Sequence, residues 1–194
     1  MHTRGLFFKL FPTPHYLKMS GVGLDISDQS VKFVELGARQ GKLDLLRQDS
    51  IAIPEGVIVE GRIMDPKKLV STLVEFRQRN NLKNVIVALP EEQAFVVRME
   101  LPNVSLGELR SSIEYQIEEY VQFKSKDIVF DYEIISPPNK ESDLYHVSVS
   151  VLPLVMVQSY FEALKQAGFD PLAFEIEGQA LSRALVPWQE KGLV

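Results

Sequence analysis

At 194 residues the chain has room for one large domain or two small ones, and for a real hydrophobic core. Its 45% apolar and 24% charged residues are ordinary for a soluble globular protein, and a net charge of −5 gives no support to a nucleic-acid binder, which shows a basic face or stripe. The absence of cysteine excludes disulfides, thiolate metal sites and cysteine nucleophiles and fits a reducing cytosol, while His2, His15 and His146 are too scattered to suggest a metal cluster.

No stretch approaches the roughly 20 apolar residues that span a bilayer. The segment GLFFKLFPTPHYLKM, Gly5 to Met19, is broken by Lys9, Pro12 and Pro14 and is followed by no small-residue cleavage site, so it is not a signal peptide. Residues 1–19 read as an N-terminal arm, disordered or flanking a strand. Their positive charges (Arg4, Lys9, Lys18) and aromatic content also suit an acidic membrane surface or a partner's groove.

Val22 to Ile26, Val31 to Leu36 and Leu43 to Ile53 are apolar runs joined by short turns, the second turn at Ala38 to Gly41, and predict an antiparallel meander. A loop with Gly and Pro turn residues, Ile53 to Asp65, leads to a helix start. There Asp65 serves as N-cap, and Pro66 loses nothing by lacking an N–H in the first turn. Leu69, Leu73 and Phe76 recur at helical spacing until Asn80-Asn81, and NVIVALP, Asn84 to Pro90, is a short buried strand.

After Pro90 the pattern restarts. AFVVRMELP is a strand, and Ser105 with Glu108 forms a capping box opening a helix whose apolar stripe is Leu106, Leu109, Ile113, Ile117 and Tyr120. Its other face carries Glu108, Arg110, Glu114, Glu118 and Glu119, a solvated face rather than an acid–base pair. The strands DIVFDYEII and LYHVSVSVL follow. Val155 to Ala167 is an amphipathic helix stopped by Gly168, and Pro171 to Val186 gives a last strand and helix stopped by Pro187. The expected class is α/β: residues 20–90 plus 170–194 form half of a ribonuclease-H-like layer, with residues 91–169 inserted as a small β-α-β-β-α subdomain.

The opening hairpin, GVGLDISDQSVKFVEL, is the one candidate for cofactor chemistry. It is neither a Walker loop nor a dinucleotide turn, because it lacks their glycine patterns and leads from strand to strand. A tight polar hairpin can still hold phosphate through backbone N–H groups and hydroxyls such as Ser27 and Ser30. Alternation puts Val22, Leu24 and Ile26 on one face and Gly23 and Asp25 on the other. A carboxylate beside a phosphate repels it unless Mg²⁺ stands between them, usually through waters. On its own, the turn is better explained by Ser, Asp and Gln as good turn formers.

VGLDISDQSVKFVEL resembles the first phosphate motif of the actin-like ATPase superfamily, in the form seen in the PilM family and its FtsA relatives. IPEGVIVEGRIMDPKKLVSTLVEF, NVIVALPEEQAFVVRMELP, IEYQIEEYVQFKSKDIVFDYEII and YFEALKQAGFDPLAFEIEGQALSRAL resemble the corresponding PilM stretches in order, as does the leader LFPTPHYLKM. The resemblance implies an actin-like half with an inserted subdomain. It makes Asp25, Ser27, Asp28, Gln29, Ser30 and Lys32 the candidate nucleotide-hairpin residues, with Asp25 reaching Mg²⁺ through water.

Many family members carry Gly where this chain has Ser27, and Gly lets a backbone approach phosphate most closely. The family's second half, with its second phosphate hairpin and adenosine region, does not follow Val194 here, so ATP with Mg²⁺ is expected to bind this chain weakly or not at all. The resemblance further implies a cytoplasmic component at the inner face of a bacterial cytoplasmic membrane, attached through partners. That component would capture the N-terminal cytoplasmic peptide of a PilN-like protein in a groove between the layer and the insertion, meet other pilus assembly proteins, and run no reaction. The alternatives are a nucleotide-binding half completed by a longer gene or second chain, and an FtsA-like cell-division membrane tether.

Overall fold

In the computed structural model, residues 22–39, 42–140 and 142–185 are described. The N-terminal arm at 1–19, the center of the Ala38–Gly41 turn and the stop at Pro187 lie outside them.

The first strand, β1 (Val22–Ile26), buries Val22, Leu24 and Ile26 and turns Gly23 and Asp25 away, as the alternation predicts. It pairs antiparallel with β2 (Ser30–Arg39), which pairs antiparallel with β3 (Lys42–Ala52). The loop that follows hides a structure too short to read from sequence: β4 (Ile58–Val59) and β5 (Arg62–Ile63) form a two-residue-strand hairpin. Its turn residues Glu60 and Gly61 both have positive φ, 49° and 72°, as a tight primed hairpin turn requires.

Helix α1 (Pro66–Asn80) starts as expected, with the Asp65 carboxylate accepting from the Lys68 N–H at 3.1 Å. It ends on Asn81 in the left-handed region, φ 50°. Leu69, Leu73 and Phe76 are fully buried on the sheet, each contributing about 1.5–3 kcal/mol by leaving water. β6 (Asn84–Leu89) then pairs parallel with β1.

β7 (Phe95–Pro102) opens the inserted unit. Helix α2 (Leu109–Gln116) starts three residues later than the capping-box reading placed it. Glu108 does reach back to the Ser105 N–H at 3.1 Å and accepts the Ser105 hydroxyl at 2.6 Å, but the box closes a turn ahead of the helix. Leu109, Ile113 and Ile117 form the buried stripe. Leu106 and Tyr120, at its two ends, are exposed because the chain there is turn or one short 3-10 turn rather than α-helix. β8 (Ile128–Ser136) and β9 (Leu144–Pro153) complete an antiparallel sheet ordered β7-β9-β8. Its core is closed by Met99, Leu101, Val147, Val149 and Val151 against α2.

Helix α3 (Leu154–Gln166) is where sequence and structure part. Its spacing placed it in the insertion, but Met156, Tyr160, Ala163 and Leu164 belong to the first core, beside Leu69, Leu73 and Phe76 of α1. Consecutive residues of β9 make the switch: Val151 points into the second core and Leu152 into the first. Gly168, φ 85°, ends α3 as expected. β10 (Asp170–Ile176) pairs parallel with β6, and α4 (Glu177–Leu185) follows directly. The main sheet is thus ordered β10-β6-β1-β2-β3, the five-stranded mixed sheet of an actin-like half-layer. α1 and α3 cover one face, and α4, with no fully buried residue, leans on the other.

Candidate functional site

The hairpin residues singled out in the sequence are brought together, but much of their bonding is internal. The Ser27 N–H donates to the Ser30 carbonyl at 3.0 Å, its hydroxyl lies 3.3 Å from the same oxygen, and the two serine hydroxyls are 3.4 Å apart. The Gln29 carbonyl accepts from the Ile53 N–H at 2.8 Å, while the Gln29 side chain is exposed.

Asp28 turns away from the hairpin mouth. Its carboxylate accepts from the Glu60 N–H at 2.8 Å and the Gly61 N–H at 3.1 Å, filling the pair of converging donors that the β4–β5 turn creates. Tyr160, wholly buried on α3, donates its hydroxyl to the Gly61 carbonyl at 3.1 Å. Burial, and then the negative charges of Asp28 and Glu92, push that phenol far above its ordinary value, so it stays a neutral donor. Gln93 adds a further tie, donating to the Glu60 carbonyl at 3.0 Å.

On the opposite face of the sheet, Asp25 pairs with Lys32 at 3.5 Å, both partly exposed. They edge a cavity of about 310 Å³ floored by Ile86 and Ala88 of β6 and roofed by Ala180 and Leu181 of α4. Glu177, the first residue of α4, also lines it. Burial raises the pKa of its carboxyl, and so do Asp25, Glu91 and Glu92, against a smaller opposing pull from Lys32. Sequence reasoning missed Glu91, Glu92 and Glu177 as neighbors of the hairpin, because they stand on separate segments that only the sheet order β10-β6-β1 brings side by side. Among the described residues, no group of three or more His, Asp or Glu is arranged to hold a metal ion.

A larger cavity, about 410 Å³, opens between the two units. One wall is β8 from Val129 to Glu133; the other is β10 from Ala173 to Ile176. Ser150 and Leu152 of β9 and Val157 of α3 form its floor, and Gln179 and Arg183 of α4 close one end. Gln179 donates to the hydroxyl of the buried Ser150, and Arg183 pairs with Glu175 at 2.8 Å. α4 is therefore latched to both units. Behind the first wall, the Arg110 guanidinium lies 4.5 Å from the center of the Phe130 ring.

A family model described as "Type IV pilus assembly protein PilM" matches residues 23–191. Among solved structures, the chain is similar to one described as the PilM-PilN type IV pilus biogenesis complex, with a TM-score of 0.75 and 24% identity over 86% of this chain and 50% of that one. It is also similar to the cytoplasmic domain of EpsL, an inner membrane component of the type II secretion system of Vibrio cholerae, with a TM-score of 0.55 and 14% identity over 79% of this chain and 56% of that one. These likenesses establish the fold, and the chain spans about half the length of each of those structures.

Proposed function

Because the chain belongs to the PilM family of type IV pilus assembly proteins, we propose that it is a cytoplasmic adaptor of the inner-membrane assembly complex, with the groove between its two units as the docking site for the N-terminal cytoplasmic peptide of a PilN-like membrane protein. The observation that carries this reading is the groove itself: about 410 Å³, walled by one strand from each unit and floored by Leu152 and Val157. Peptide capture in such a cleft needs shape, apolar lining and a few polar anchors, and no reacting groups. No described helix is long and apolar enough to cross a membrane. In this reading the membrane attachment comes through the partner, which also brings the adaptor to the other pilus assembly proteins.

Nucleotide is the second reading, favored by the hairpin and the actin-like sheet. Its residues do not fit ATP and Mg²⁺ on this chain alone. The Ser27 N–H is spent within the turn, Asp28 is spent on the β4–β5 turn, and the ground around Asp25 is acidic, with Glu91, Glu92 and Glu177 nearby. A phosphate there meets four carboxylates against the single Lys32 ammonium. An actin-like half completed by a longer gene or a second chain is the form in which nucleotide binding is expected.

Titrating the purified chain with a synthetic peptide of the PilN-like partner's cytoplasmic N terminus tests the adaptor reading. Saturable binding is expected. A folded sample that shows none removes it.

A further inference from the structure

The two walls of the groove are not sheet faces but sheet edges. β8 is the outermost strand of the three-stranded sheet and β10 the outermost strand of the five-stranded one. Each lines the cavity with consecutive residues, Val129 to Glu133 and Ala173 to Ile176, where a strand presenting a face would line it with alternate ones. An edge strand carries a row of unpaired N–H and C=O groups that another extended chain can take up. The two edges border one space; on β8 the Asp131 carboxylate holds the Tyr132 N–H at 2.9 Å and the Arg110 guanidinium lies 3.5 Å from the Phe130 carbonyl, contacts that an incoming strand displaces.

Resting on the adaptor reading above, we infer that the captured peptide lies as a β-strand inserted between β8 and β10, pairing its backbone with both and joining the two sheets into one. The order would then run β7-β9-β8-peptide-β10-β6-β1-β2-β3. The lining also states what the strand must carry. On β8, Phe130 and Tyr132 pack toward the second core, while Asp131 and Glu133 project from the other face and are exposed. On β10, Glu175 is already neutralized by Arg183, which leaves the two β8 carboxylates as the unbalanced charge of the groove. The occupant is therefore an extended segment whose groove-facing side chains are apolar over Leu152 and Val157 and include a Lys or Arg where that same face reaches Asp131 and Glu133, since Asp131 pairs with Ser150 and Val129 with Leu152.

A strand paired on both sides uses the N–H of every interior residue, alternately toward one neighbor and the other, whereas a strand paired on one side uses every second one. The test is a set of peptides from the PilN-like partner's cytoplasmic N terminus, each N-methylated at one interior position and titrated against the full chain. Each methyl is expected to weaken binding about three- to tenfold, the loss of one hydrogen bond, with new amide-exchange protection along both β8 and β10. Glu133→Lys, on an exposed position outside either core, should weaken binding several-fold. Sensitivity at alternate positions alone, or protection of one edge alone, overturns the bridging strand. So does an unmethylated peptide that binds while every methylated one binds equally well, an outcome that leaves the adaptor reading standing. Failure of the unmethylated peptide to bind overturns both.

Discussion

The Asp28 carboxylate accepts the Gly61 N–H at 3.1 Å, tying the tip of the opening hairpin to the β4–β5 turn 33 residues later in the chain. The Glu60 N–H donates to the same carboxylate at 2.8 Å, and the Gly61 carbonyl accepts the Tyr160 hydroxyl. A residue that looks like part of a phosphate grip in the sequence is, in the fold, a strut between three elements.

Replacing Asp28 with Ala should therefore destabilize the protein, by about 1–3 kcal/mol, the cost of leaving two partly shielded backbone donors without their charged acceptor. Denaturant unfolding of the wild type and the variant measures it. Unchanged stability would mean that the strut contributes nothing and that Asp28 is free for a ligand.

Gly61 should not tolerate Ala. Its φ of 72° is costly for any residue with a Cβ, and a Cβ there would meet the Pro90 Cβ at 3.0 Å. A loss of about 1–2 kcal/mol from the backbone alone is expected in the same unfolding assay.

Tyr160 sets an alkaline limit. Its folded-state pKa is raised above the ordinary phenol value of about 10, so the folded protein holds the proton more tightly than the unfolded chain. Its contribution is fully present below pH 10 and is lost as pH rises beyond that. Tyr160→Phe should lower stability at pH 7 by about 1–2 kcal/mol, through the orphaned Gly61 carbonyl. It should also flatten the fall in stability above pH 10, as thermal unfolding across pH 8–12 would report.

Glu177 should show a raised-pKa carboxylate at the other end of the scale. With its pKa raised by burial and by the charges of Asp25, Glu91 and Glu92, any stability that it contributes is present below pH 4 and lost as pH rises. Glu177→Gln should raise the melting temperature at pH 7 and leave it unchanged near pH 3. The N-terminus of α4 favors a negative charge and opposes part of this gain. A variant that melts lower at pH 7 would show the helix end to be the stronger influence.

In the groove, Ala173→Arg places a long side chain on the exposed edge of β10 without entering either core. Peptide affinity should fall at least tenfold with the circular dichroism spectrum unchanged. A companion titration with Mg-ATP should show no micromolar binding by this chain alone, and such binding would overturn the reading of the hairpin.

Much of this architecture is written in the chain. The alternation Val22-Leu24-Ile26, the Asp65-Pro66 start, the Leu69-Leu73-Phe76 stripe and the Gly168 stop each follow from local steric and hydrogen-bond rules, and each is found in place. Periodicity reports which face of an element is apolar, and so it predicted that Val155 to Ala167 is an amphipathic helix. It carries no information about which apolar surface that face meets, and only the packed molecule placed α3 against α1. The same limit governs the hairpin and the groove. The residue types Asp25, Ser27, Asp28 and Ser30 are legible, but whether Asp28 faces a phosphate or the amides of Glu60 and Gly61 depends on a contact 33 residues away along the chain. Nor can a local pattern reveal that β8 and β10 are the outermost strands bordering one groove, because an edge is defined by the strand that is missing beside it.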